Sequence, residues 1–159
     1  MKDSIHKYFQ IGTIQWMSHP PAEYELLDSI KTICCDDYFD ALEVTQIKDA
    51  FVREKAKEML EQAHMKVCYG AQPRLLGPGL NPNDINEEGR EKAERTLLEA
   101  VDEAEYLGAK GIAFLAGKWE KETREKAYLQ LIKTTENVCE YAASKGMSVE
   151  LEVFDYDMD

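Results

Sequence analysis

Residues 86–119 read NEEGREKAERTLLEAVDEAEYLGAKGIAFLAGKW. Ala93, Leu97, Ala100, Val101, Ala104 and Leu107 recur at steps of three and four, the stripe of a helix that buries one face. Gly108 stands just past the last stripe residue, where a glycine in left-handed conformation ends a helix, and KGIAFLAG follows at once as a short apolar strand. Asp84 or Asn86 can cap the start, and Glu87 completes a capping box if Asp84 is the cap. Helix, stop and strand in one segment make the repeating piece of a βα fold.

The same alternation extends in both directions. Upstream, YFQIGTI (Tyr8–Ile14) predicts a first strand, followed by a helix over Ala22–Cys34 with Pro21 as a first-turn residue. FDALEVTQI predicts a second strand from Phe39 to Thr45. A helix over Asp49–Ala63 comes next, with Phe51, Val52, Ala56, Met59, Leu60 and Ala63 along one side. MKVCYGA predicts the third strand. Downstream, the helix over Glu120–Lys145 carries Tyr128, Leu131, Ile132, Thr135, Val138, Cys139 and Ala142 on one face and stops at Gly146, and SVELEVFDYD predicts the fifth strand. Between Tyr69 and Glu87 the three prolines and three glycines of YGAQPRLLGPGLNPNDINE predict a long irregular excursion. Such loops in compact domains are functional or mobile.

Parallel strands joined by right-handed crossovers leave an open doubly wound sheet or a barrel. The first turn, IGTIQWMSHPP, has no glycine-rich phosphate fingerprint, which removes the best signal of a dinucleotide-binding sheet. An eight-unit barrel typically takes about 250 residues, whereas this chain has 159. The expected fold is therefore α/β of (β/α) TIM-barrel type, a single domain over residues 1–159 that holds the first four and a half of eight βα units.

The net charge of −12 repels a phosphate backbone, and the 19 Lys and Arg are interspersed with acids, so no nucleic-acid partner is expected. No window approaches the roughly 18 apolar residues of a membrane span. MKDSIHKYFQ lacks a secretory apolar stretch, so no membrane partner and a cytoplasmic location are expected. Cys34, Cys35, Cys68 and Cys139 show neither a zinc spacing nor a CxxC pair, and reduced structural thiols are expected.

The segment INEEGREKAERTLLEAVDEAEYLGAKGIAFLAGKW resembles the helix, LGA corner and following strand of the xylose isomerase-like superfamily, the sugar isomerase and epimerase barrels. IGTIQW fits as its first strand, FDALEV as its second with the family-like acidic residue Glu43, and VELEVFDYD as its fifth. The resemblance implies a divalent metal of the Mn, Mg, Co or Zn class at the C-terminal mouth. A fifth-strand carboxylate would hold it together with ligands from later strands. By position Glu152 matches that carboxylate, as metal ligand and as one of two glutamates that move a proton beside a substrate carbonyl. The chemistry is coherent: a hard cation stabilises enediolate charge while a carboxylate exchanges the proton.

Glu150 and Glu152 share a strand face because side chains alternate with period two. The plain alternative is a solvated or edge-protecting face, which suits Glu150 better. Glu43 is a candidate for a substrate hydroxyl, with a structural salt bridge as the alternative. His19, in the loop after the first strand, can touch a ligand or be a turn residue beside Pro20 and Pro21. Trp16 and Trp119 follow strand ends, where aromatic rings wall sugar pockets or pack in the core. Arg74 in the long loop can meet an anionic substrate group or remain solvated. His64, at the opposite strand end, and Asp155 and Asp157, near the C-terminus, are read as structural and solvated respectively.

The expected function is metal-dependent isomerisation or epimerisation of a sugar or polyol through an enediolate, once the later units complete the site. This chain alone is expected to bind metal weakly and to show no isomerase turnover. Two alternatives stand beside it. One is a non-catalytic half-barrel that self-associates or docks on a partner through its open sheet edges. The other is a metal-dependent apurinic endonuclease-like protein, against which the acidic balance argues.

Overall fold

A computed structural model describes residues 5–152. Five strands, β1 (Gly12–Ile14), β2 (Ala41–Val44), β3 (Lys66–Gly70), β4 (Gly111–Leu115) and β5 (Ser148–Glu152), form one sheet in the order β1-β2-β3-β4-β5, every neighbouring pair parallel. Strand order follows chain order with no reversal. A doubly wound sheet reverses at its switch point, so this sequential order is that of a barrel. The α/β, partial-barrel expectation holds.

Between the strands run α1 (Gln15–Ser18), α2 (Leu26–Cys34), α3 (Ala50–Gln62), α4 (Gln72–Leu76), α5 (Glu87–Tyr106) and α6 (Arg124–Ser144). The four long helices pack on one face of the sheet, α2 beside α3 and α5 beside α6. The core lies there. Leu42 and Val44 of β2, Val67 and Tyr69 of β3, and Ile112 and Phe114 of β4 point toward the helices, which return Ile30, Ile33, Ala56, Leu60, Leu97, Val101 and Val138. Each fully buried Leu or Ile contributes about 1.5–3 kcal/mol relative to exposure.

The helix read first is the one most fully confirmed. All six predicted stripe residues of α5 are buried, and Gly108 takes φ +78° at its end, as Gly146 takes +70° after α6. Asn86 is the cap, accepting from the Glu88 N–H, while Asp84 accepts from the Asn86 N–H just before it. Polar side chains then clamp α5 to α6. Glu87 meets Arg90, Gln130 and Lys133, which together draw its carboxyl down to about 2. Buried Arg90 also reaches Glu94 and the Thr134 hydroxyl, and that hydroxyl donates to the Pro82 carbonyl.

Other boundaries differ from expectation. The first strand is three residues rather than seven, because Tyr8 and Phe9 donate back to the Ile5 carbonyl in a turn. Helix α2 starts at Leu26, since residues 20–24 close a separate turn on the Pro20 carbonyl. The predicted irregular excursion contains helix α4, whose first turn accepts Pro73. Phe51 is 65% exposed and lies off the buried stripe of α3, and Tyr128 and Ile132 of α6 are exposed rather than core. In α6 the buried line is Ala127, Thr134, Val138 and Ala142. Among the described residues no helix is long and apolar enough to cross a membrane, and all four cysteines are free thiols.

Candidate active site

Strand side chains alternate between faces, so the residues skipped by the core belong to the other face of the sheet. These are Ile14, Glu43, Cys68, Gly70, Gly111, Ala113, Ser148, Glu150 and Glu152. Register sets them side by side: Ile14 pairs with Glu43, Glu43 with Cys68, Gly70 with Ala113, Ala113 with Glu150 and Leu115 with Glu152. Small residues in the centre leave a hollow, and carboxylates stand on both sides of it. A cavity of about 670 Å³ opens there, closed at the strand C-termini by Trp16 and Met17 of α1 and by Gln72, Pro73 and Leu76 of α4.

The tightest part of the site lies over Gly70. A Cβ at that position would sit 2.3 Å from Trp16 Cη2 and 2.6 Å from both Gln72 Oε1 and Glu43 Oε1. Only glycine allows the three side chains to converge. Gln72 Nε2 donates to Glu152 Oε2 at 2.7 Å, across 80 residues of sequence. Its Oε1 is buried and has no hydrogen-bond partner among the described residues. Burial pushes the Glu43 carboxyl up from its ordinary range, and the charges of Glu152 and Glu150 push the same way. Burial likewise raises the Cys68 thiol, with Glu43 and Glu150 adding to it. Glu150 accepts from the Ser148 hydroxyl at 2.6 Å.

Of the residues singled out from sequence, the structure brings Glu152, Glu43 and Trp16 together. The other three lie outside this cavity. Arg74 is 7% exposed in its side chain and is held by Glu103 at 3.0 Å and Glu99 at 3.1 Å, on the helix side of the sheet. Trp119 is 43% exposed and lines a separate hollow with Asn83, Arg124 and Tyr128, the Arg124 guanidinium 5.4 Å from its ring centroid. His19 packs edge-on against Tyr24 and neighbours the Ser18 hydroxyl. His64 takes φ +54° in the turn before β3, at the opposite strand end. Asp155 and Asp157 lie outside the described residues. Glu150, better suited from sequence to a solvated or edge-protecting face, lines the cavity. Gln72, Gly70 and Cys68 were missed: the parity of Cys68 with Glu43 in neighbouring strands was a usable signal, whereas Gln72 had none.

Glu152 is a hard oxygen donor of the kind divalent ions take. Among the described residues no group of three or more His, Cys, Asp and Glu side chains could hold a metal ion. A complete centre around Glu152 therefore calls for ligands beyond this set.

The family model of the xylose isomerase-like TIM barrels matches residues 30–159. The chain belongs to this family. Solved barrels of similar shape include a D-psicose 3-epimerase with D-tagatose from Clostridium cellulolyticum H10, with TM-score 0.78 and 14% identity over 95% of this chain and 54% of that one. An L-ribulose 3-epimerase gives 0.75 and 14% over 94% and 51%, and a D-tagatose 3-epimerase-like protein 0.74 and 17% over 90% and 52%. At such identities the likeness shows the fold. This barrel chain spans about half the length of these proteins, and no curated protein matches its sequence.

Proposed function

We propose that this chain carries one side of the active site of a sugar or polyol isomerase or epimerase, in which Glu152 exchanges the proton on the carbon beside the substrate carbonyl. The observation that carries this reading is the convergence of Gln72, Glu43 and Trp16 over Gly70, with Glu152 fixed by Gln72, at the strand C-termini where barrel enzymes place their chemistry. Sugar epimerases among the solved barrels of the same shape support it. In this reading Gln72 holds the Glu152 carboxylate in one orientation, Trp16 presents apolar surface to the C–H side of the substrate, and Glu43 takes a hydroxyl. Glu152 is also proposed as one ligand of a divalent ion whose other ligands lie outside the described residues, and which when bound would stabilise the negative charge of an enediolate.

A single carboxylate removes a proton and returns one to the same face of the carbon. Inversion needs a second group on the other face, so net epimer formation is not expected of this chain. Exchange is. In D₂O with Mn²⁺, the wild-type chain should introduce deuterium beside the carbonyl of D-fructose, followed by proton NMR, and Glu152→Gln should slow this by on the order of 10²–10⁴-fold. Exchange no faster than in buffer with metal alone would sink the reading.

A second reading, the half-barrel that associates with itself or a partner, is favoured by a different observation. Tyr128 and Leu129 of α6 are more than 60% exposed, and among the described residues the outer edges of β1 and β5 pair with no strand. Exposed apolar surface next to an open edge promotes association. Sedimentation velocity should then show species larger than a monomer. A single monomeric boundary at high micromolar concentration would rule this out.

A further inference from the structure

We propose that the cavity selects its ligand by charge, preferring a polyol that carries a protonated amine over the neutral sugar and rejecting the corresponding phosphate ester; this rests on the reading of the cavity as a sugar or polyol site. Its lining carries three carboxylates, Glu43, Glu150 and Glu152, and two cations, Lys66 and Lys110. Position separates the two signs. Lys66 opens β3 and Lys110 precedes β4, whereas by register Glu43 stands two residues further along, level with Cys68, and Glu150 four residues along, level with Gly70, rises of roughly 7 and 13 Å, with Glu152 beyond them at the end of β5.

At the mouth the charged groups are carboxylates. Gln72 donates one of its two amide N–H groups to Glu152, and its Oε1, which converges with Glu43 Oε1 over Gly70, has no hydrogen-bond partner among the described residues. The arginine nearest in sequence, Arg74, is turned to the helix side and neutralised by Glu99 and Glu103. Low-dielectric walls focus such a field. An ammonium group there gains carboxylate partners and an aromatic neighbour. A phosphate meets like charge, which costs affinity.

Calorimetric titration of the chain, in low-salt buffer at pH 7 with a chelator, would compare D-fructose, 1-amino-1-deoxy-D-fructose and D-fructose 1-phosphate, which differ only at one carbon. The amine should bind on the order of tenfold tighter than fructose and the phosphate on the order of tenfold weaker. Added salt should narrow the spread. Joint replacement Glu43→Gln and Glu152→Gln should abolish most of it, and a preference unchanged by that pair would overturn the proposal. Phosphate binding equal to or tighter than the amine overturns it while fructose binding keeps the sugar-site reading. Amine binding without fructose binding does the reverse. Absence of binding by all three overturns both.

Discussion

Glu103→Leu is expected to destabilise the protein by about 3–5 kcal/mol, the range for removing one partner of a buried ion pair. Glu103 is 9% exposed and serves three elements at once. Its Oε1 accepts from the Ile47 N–H at 2.8 Å after β2, and its Oε2 accepts from the Tyr69 hydroxyl of β3 and from Arg74 of α4, each at 3.0 Å. Burial pushes the Tyr69 phenol above its ordinary range. The tyrosine therefore stays a neutral donor. Leucine would fill a similar volume yet leave a buried N–H, a buried hydroxyl and a guanidinium without their acceptor. Arg74 would keep Glu99, which is largely in solvent, as its charged partner and the Tyr69 hydroxyl at 3.4 Å. Adding Arg74→Met should recover part of the loss, since removing both charges is far less costly than stranding one. Urea midpoints for the two single variants and the double variant form a cycle, with an expected coupling of about 1–3 kcal/mol. Simple additivity would show that the pair is solvated and contributes nothing.

The Glu103 network also shows what the sequence reveals and what it hides. The α5 stripe, its glycine stop and the following strand are all local features, set by spacing within about 30 residues, and each was legible. The βα repeats made the parallel strands legible but not their order, which a doubly wound sheet would have reversed; sequential order followed only from preferring the barrel. Glu103 itself was not legible: at its place in α5 it reads as one of many acids on the solvent side. Its partners lie 29, 34 and 56 residues away. Arg74 suffered the opposite error of context, being in a loop that looked solvated while its side chain was pinned against α5. Helix α4 was hidden by Pro73, whose missing N–H excludes helix interiors and is harmless in a first turn.

The site divides along the same line. Glu43 and Glu152 were legible because a carboxylate in an apolar run breaks the local pattern, and their strand positions place them at one end of the sheet. Gln72 was not, since nothing in QPRLLG marks an amide that will reach Glu152, 80 residues on. Trp16 and Trp119 follow strand ends in the same way, yet only Trp16 enters the cavity. Helix α1 begins at once after β1 and carries Trp16 inward, whereas Gly117, at φ +94°, turns the chain between β4 and Trp119 toward the Arg124 side.

Gly70→Ala is expected to abolish the site while sparing the fold. The backbone at Gly70 is not in the left-handed region, so alanine adds little conformational strain, and about 1 kcal/mol or less of stability should be at stake. The added methyl, however, would stand 2.3 Å from the tip of the Trp16 ring and 2.6 Å from Gln72 Oε1 and Glu43 Oε1. All three contacts are the far ends of side chains at the cavity mouth. They can swing outward, and the helix-side core need not move, because Tyr69 and Ala71 on either side remain packed where they are. Once Gln72 turns away, Glu152 loses its 2.7 Å donor and its fixed orientation. Misplacement of about 1 Å in such a constellation costs on the order of 100-fold. Ligand affinity or deuterium exchange should therefore fall by at least about that factor, with the urea midpoint nearly unchanged and the tryptophan emission shifted to the red as Trp16 gains water. Equal losses of stability and binding would mean that the methyl disrupts the sheet. Unchanged binding would mean that the cluster over Gly70 does not touch the ligand, and the candidate site would then have to be sought beside Trp119.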